Sequence, residues 1–166
     1  EARATAERRD TVDYRAWERE GFINLMPGEV LDQRVIKRDI QNLANNYRIQ
    51  EIAFDRWNAF QLAVELEEEG ATMVSMGMGY KSMSVPTKTL EELVLSKRLD
   101  HGGHPVLSWC VSNVVLETDA AGNIKPSKAR SKDRIDGAVA LILAISRALL
   151  REHGTTVYKE RGLTVI

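Results

Sequence analysis

Two carboxylates in this 166-residue chain stand where chemistry could use them, and a run of cations lies beside the second. The first, Asp55, closes the apolar run Ile52-Ala53-Phe54, and the chain turns directly from it into a helical pattern starting near Trp57. In open α/β sheets, ligands and catalytic groups collect at the carboxyl ends of strands, so an acid at such an end is a candidate catalytic group. The same acid can equally cap the following helix by accepting its free amides. The second, Asp136, falls in the first turn of a long apolar-rich helix over residues 135–150, off the stripe of Ile135, Val139, Ile142, Ile145 and Leu149. Its bland role there is an interaction with the helix macrodipole worth about 0.3–1 kcal/mol. Just upstream come five cations, Lys125, Lys128, Arg130, Lys132 and Arg134, with one acid, Asp133, among them.

If Asp55 and Asp136 converge, they repel unless a proton or a cation intervenes. Oxygen-only ligands suit hard ions such as Mg²⁺ or Mn²⁺, which take one or two protein carboxylates and fill the remaining positions with water or phosphate oxygens. A pair of such ions can activate water and stabilise the leaving oxygen of a phosphodiester. The basic run would then hold a nucleic-acid backbone through sequence-independent, salt-sensitive contacts. Its bland alternative is a solvated loop.

Other motifs carry less. The segment from Gly77 to Ser84 reads as a flexible loop beside the strand ends, but Tyr80 separates Gly79 from Lys81, and the spacing of a phosphate-binding loop is absent. His101 and His104 flank Gly102-Gly103 with no partner cysteines, which favours turn chemistry over zinc ligation. The single cysteine, Cys110, sits in an apolar helical segment and reads as a small buried side chain, in a chain suited to a reducing compartment. No glycine-rich dinucleotide fingerprint or nucleophile elbow is present, which weakens the reading as a small-molecule α/β enzyme.

The elements that must position these residues follow from spacing. With 43% hydrophobic and 28% charged residues the chain is globular, its net charge of -1 names no partner, and its length suits one domain over residues 1–166. No apolar run is long enough to cross a bilayer, so no membrane partner is expected. Residues 1–20 read as a helix with Tyr14 and Trp17 on one face, ended by Gly21. Residues 22–26 read as a short strand closed by Pro27-Gly28, and residues 31–47 as a helix capped by Asp32. A strand over 49–55, a helix over 57–69 ended by Gly70 and a strand over 72–76 make a helix-joined, parallel-pairing pattern. Pro86 and Thr87 open the next helix, a turn at 101–105 precedes the helix holding Trp109, and residues 114–117 pair with Ile124 across a hairpin-type connection at 119–123.

Four segments carry a family resemblance: Ile52-Ala53-Phe54-Asp55-Arg56-Trp57, Ser82-Met83-Ser84-Val85-Pro86-Thr87-Lys88, Gly122-Asn123-Ile124-Lys125-Pro126-Ser127-Lys128 and Arg134-Ile135-Asp136-Gly137-Ala138-Val139-Ala140-Leu141. In that order, over nearly the whole chain, they resemble the large terminase subunit of tailed bacteriophages, in its C-terminal nuclease domain. The resemblance implies an α/β, RNase H-like fold with a mixed sheet flanked by helices. It implies a divalent-metal-dependent endonuclease that cuts concematenated viral DNA during genome packaging, with two Mg²⁺ or Mn²⁺ ions in the intact site. Asp55 matches the acid ending the family's second catalytic strand, and Asp136 the acid opening its C-terminal helix; Lys125, Lys128 and Arg134 belong to segments near that site. Double-stranded DNA, a small terminase subunit and a portal protein are the implied partners, and the bacterial host cytoplasm the implied location.

The resemblance also implies an earlier catalytic aspartate on the first strand of the sheet. Residues 1–20 resemble the helix that follows those strands, so the domain is expected to be partial, lacking its leading strands and the packaging ATPase, with an exposed sheet edge and weakened metal affinity. A second reading fits that departure: a catalytically inactive RNase H-like module that binds DNA or the packaging apparatus.

Overall fold

A computed structural model describes residues 12–26 and 31–160 of the chain. Helix α1 (Tyr14–Arg19) starts where the Asp13 side chain accepts the Ala16 amide at 3.0 Å. The rings of Tyr14, Trp17 and Trp109 meet edge-on or tilted at 5.5–6.3 Å between centroids, which docks this short helix by aromatic contact. The strand expected over 22–26 does not form. The segment makes no ladder among the described residues, and Phe22 instead lays its ring against His104 at 5.1 Å. The expected Pro27-Gly28 turn and the first eleven residues lie outside the described residues.

Helix α2 (Gln33–Asn46) begins at Asp32, whose carboxylate accepts the Arg34 amide at 2.9 Å. Strand β1 (Ile52–Asp55) passes directly into α3 (Arg56–Glu68), which buries Leu62, Ala63 and Leu66. Lys37 of α2 reaches Glu65 and Glu69 at 3.3 and 2.7 Å, tying the two helices. Gly70, at φ +91°, supplies the left-handed turn that lets the chain leave α3 for β2 (Met73–Met76). β2 pairs in parallel with β1 in the register Ile52 with Met73 through Asp55 with Met76, as the helix-joined pattern requires.

The flexible loop expected after β2 is much shorter. Helix α4 (Tyr80–Leu95) already starts behind Gly79, and Pro86 lies inside it rather than at its first turn. Pro86 cannot donate to the carbonyl four residues back, yet the turn closes: the Thr87 hydroxyl donates to the Met83 carbonyl at 2.6 Å, and Met83, Ser84, Pro86 and Thr87 are all buried. Tertiary packing thus holds a helix across a residue that reads as its start.

Helix α5 (Pro105–Ser112) opens with Pro105 at a position where no amide donor is needed, and His104 Nδ1 accepts the Leu107 amide at 3.3 Å. The turn role expected of that histidine is therefore the one observed. Strands β3 (Leu116–Thr118) and β4 (Ile124–Pro126) form an antiparallel hairpin, its turn closed by Asp119 accepting the amides of Ala121 and Asn123. The hairpin sits on α4: the Ile124 amide donates to buried Ser84 Oγ at 3.2 Å, and Lys88 Nζ to the Gly122 carbonyl at 3.1 Å.

Helix α6 (Asp136–Glu160) follows. Its Val139, Ile142 and Leu143, with Ile135 just before it, join Met83 and Leu90 of α4 in the buried cluster, and Ala53, Met76 and Met78 pack on it from the β1–β2 side. Mixed α/β architecture holds as expected. The two ladders are separate two-stranded sheets among the described residues, not one mixed sheet. No helix of the described residues is long and apolar enough to cross a membrane.

Candidate metal and nucleic-acid site

Asp55 takes the helix-capping role that one of its sequence readings gives it. It is the last residue of β1, half-buried, and its Oδ1 accepts the Trp57 amide at 3.3 Å, which starts α3. A carboxylate fixed in this way leaves its strand at the sheet's carboxyl edge, where ligands bind in α/β folds.

Asp136 is the first residue of α6, and its side chain is 62% exposed. Lys128 Nζ lies 2.5 Å from its Oδ1. Directly behind it, Gly137 packs against α5, where a Cβ on that glycine would meet Cys110 Sγ at 3.3 Å. The backbone of Gly137, and then that of Ala138, acts to lower the pKa of the buried Cys110 thiol. Burial pushes this thiol up from its ordinary range, with the Asp136 charge acting in the same direction. A small side chain from α5 thus packs closely against the first turn of α6.

One ion pair ties the strand that bears Asp55 to the helix that bears Asp136. Arg147 Nε bonds Glu51 Oε2 at 2.6 Å, at the entry to β1, with both side chains mostly covered. Two residues on, Ala53 packs on the cluster that contains Val139, Ile142 and Leu143.

The basic run divides. Lys125 is held in the hairpin, 2.5 Å from its cross-strand partner Glu117 and 5.1 Å from the centre of the Tyr80 ring. Lys125, and then the Ser127 hydroxyl, hold the Glu117 carboxyl below its usual range. Arg130 and Lys132 are exposed, while Arg134 is half-buried and its carbonyl accepts Asn113 Nδ2 at 3.3 Å. The loop bearing them is built: Ser127 is buried, its amide donates to the Val115 carbonyl at 2.9 Å, and its own carbonyl accepts both the amide and the hydroxyl of Ser131. The Ser131 oxygen in turn accepts the Val115 amide at 3.1 Å.

For a divalent ion the donor chemistry fits: two carboxylates, one half-buried and one exposed, with room for waters on the exposed one. No group of three or more His, Cys, Asp or Glu side chains that could hold a metal occurs among the described residues. Sequence reasoning missed Glu51, Arg147 and Ser127, and read Cys110 correctly as a small buried side chain. Arg147 alone had a signal, being a lone cation inside an apolar helix that must find an acid.

Comparison with known proteins agrees with this architecture. The family model for the endonuclease domain of the terminase large subunit matches residues 2–152. The chain is 37% identical over 141 residues to the terminase large subunit of Enterobacteria phage HK97, covering 84% of the chain and 28% of that protein. It is 34% identical over 159 residues to protein YmfN of Escherichia coli (strain K12), covering 95% of the chain and 34% of that protein. The crystal structure of the HK97 bacteriophage large terminase superposes with a TM-score of 0.80 at 35% identity, covering 87% of the chain and 30% of that structure. The chain thus spans about a third of the length of the relatives it matches, and its fold is that of their RNase H-like nuclease domain. It belongs to the family of terminase large-subunit endonuclease domains.

Proposed function

We propose that this domain is a Mg²⁺- or Mn²⁺-dependent DNA endonuclease that cuts concatemeric viral DNA during genome packaging, with Asp55 and Asp136 as its metal-binding acids. What supports the reading is the position of Asp55 at the carboxyl end of β1 and of Asp136 at the start of α6, on two elements that the Glu51–Arg147 pair ties together. An ion held by Asp55 and Asp136 would supply Lewis acidity and an activated water. The chain's own part is to orient: the Trp57 amide fixes Asp55, and the Cys110 contact fixes the helix end that bears Asp136. Arg130 and Lys132, exposed on a braced loop, would meet backbone phosphates without reading bases. Lys128 and Arg134 belong to the same DNA-facing loop, and Lys125 acts from within the hairpin. The expected partners are double-stranded DNA, a small terminase subunit and a portal protein, in the host cytoplasm.

The test is cleavage of plasmid DNA with Mg²⁺ or Mn²⁺ by the wild-type protein and by Asp55→Asn and Asp136→Asn. Loss of cleavage in both variants, with unchanged circular dichroism, is expected. Retained metal-dependent nicking in both would reject the site, and DNA retention without any cleavage by the wild type would instead favour the inactive binding module.

A further inference from the structure

We propose that Lys128 is a built-in counter-ion of Asp136 that a divalent cation must displace, making metal loading at this rim a competition between two cations for one carboxylate. The inference rests on the reading of Asp136 as a metal ligand. Lys128 Nζ stands 2.5 Å from Asp136 Oδ1, close enough to occupy the oxygen that such an ion would take.

Three ion pairs in this part of the molecule differ in the way the proposal needs. Lys125 with Glu117, and Arg147 with Glu51, keep their side chains 20–26% exposed and join neighbouring elements. Lys128 and Asp136 are 65% and 62% exposed, so water and salt screen their attraction and the pair can open without leaving a buried charge. The backbone that carries Lys128 is nevertheless braced. Ser127, immediately before it, is buried and bonded to Val115 and Ser131, so the ammonium is presented to Asp136 from a rigid base. A pair that is held in place yet weak suits a placeholder. It compensates the Asp136 charge while the ion is absent and yields when a doubly charged ion arrives.

The experiment is calorimetric titration of Mn²⁺, without DNA, into the wild-type protein, Lys128→Met, Lys128→Arg and Asp136→Asn. Lys128→Met, which keeps most of the length of the side chain and removes its charge, should bind Mn²⁺ about two- to five-fold more tightly, the range that an exposed ion pair converts to. Lys128→Arg should return affinity to the wild-type value. Unchanged or weaker Mn²⁺ binding by Lys128→Met, while Asp136→Asn still abolishes binding, overturns the counter-ion proposal and leaves the metal site standing. Unchanged binding by Asp136→Asn would instead remove the reading on which the proposal rests.

Discussion

Arg147 and Glu51, 96 residues apart in sequence, close a 2.6 Å ion pair between the entry to β1 and the middle of α6. This contact ties β1, which ends at Asp55, to α6, which begins at Asp136. Breaking it should act on the site without touching it. In Glu51→Gln and Arg147→Met, melting temperature should fall and the affinity for Mn²⁺ should drop, and the exchanged pair Glu51→Arg with Arg147→Glu should recover part of both. Thermal melts and metal titrations of the four proteins check this. Lower stability with unaltered metal affinity would assign the pair to the fold alone.

The same pair makes stability depend on pH. Arg147 holds the Glu51 carboxyl below the ordinary glutamate value of 4.5, and Lys37 and Lys125 do the same for Glu69 and Glu117. A carboxyl whose folded pKa is depressed binds fewer protons folded than unfolded, so its contribution is present above about 4.5 and is lost as pH falls through the folded value. Urea midpoints should therefore be level from neutral pH to near 5 and decline below it, and Glu51→Gln should decline less steeply. A midpoint that rises on acidification would contradict the ion-pair assignments.

The cations should separate by their surroundings. Arg130→Ala and Lys132→Ala should weaken DNA binding alike for all sequences, each lowering the salt slope of log K by about 0.9 if it neutralises one phosphate. Lys125→Ala, removed from Glu117 and the Tyr80 ring, should chiefly lower thermal stability. Fluorescence anisotropy across a salt series separates the two behaviours.

The elements legible in the sequence were those announced by local chemistry. Asp32, Asp55 and Asp119 each cap or turn the chain where an acid before a helical or hairpin pattern says they will, whereas Pro105, read as the end of a turn, already opens the next helix, where its missing amide costs nothing. What failed depended on partners far along the chain. Residues 22–26 have strand-like composition, but a strand needs a neighbour to pair with, and Phe22 found an imidazole instead. Pro86 reads as a helix start because its local cost is high, and burial of Met83 and Thr87 overrides that cost. At the site, the two acids stood out by position, whereas the Cys110 support of α6, the Lys125–Glu117 pair and the Arg147–Glu51 clamp are long-range contacts that no periodicity encodes.

Gly137 tests the support behind Asp136. A Cβ there already meets Cys110 Sγ at 3.3 Å and Leu107 Cδ1 at 3.5 Å, so Gly137→Val should push α6 off α5 and cost about 1–3 kcal/mol by overpacking. Gly137→Ala should be milder, because the gain in helix propensity of about 1 kcal/mol opposes the squeeze. Denaturant unfolding ranks the two, and equal stability of Val and glycine at this position would mean that the contact is not tight.

Crystals soaked in Mn²⁺ and measured at its absorption edge address the shared rim most directly. Anomalous density should lie about 2 Å from carboxylate oxygens of both Asp55 and Asp136, with the Lys128 ammonium turned away. An ion held by either acid with the other out of reach, or the two side chains facing different sides of the domain, would contradict the account.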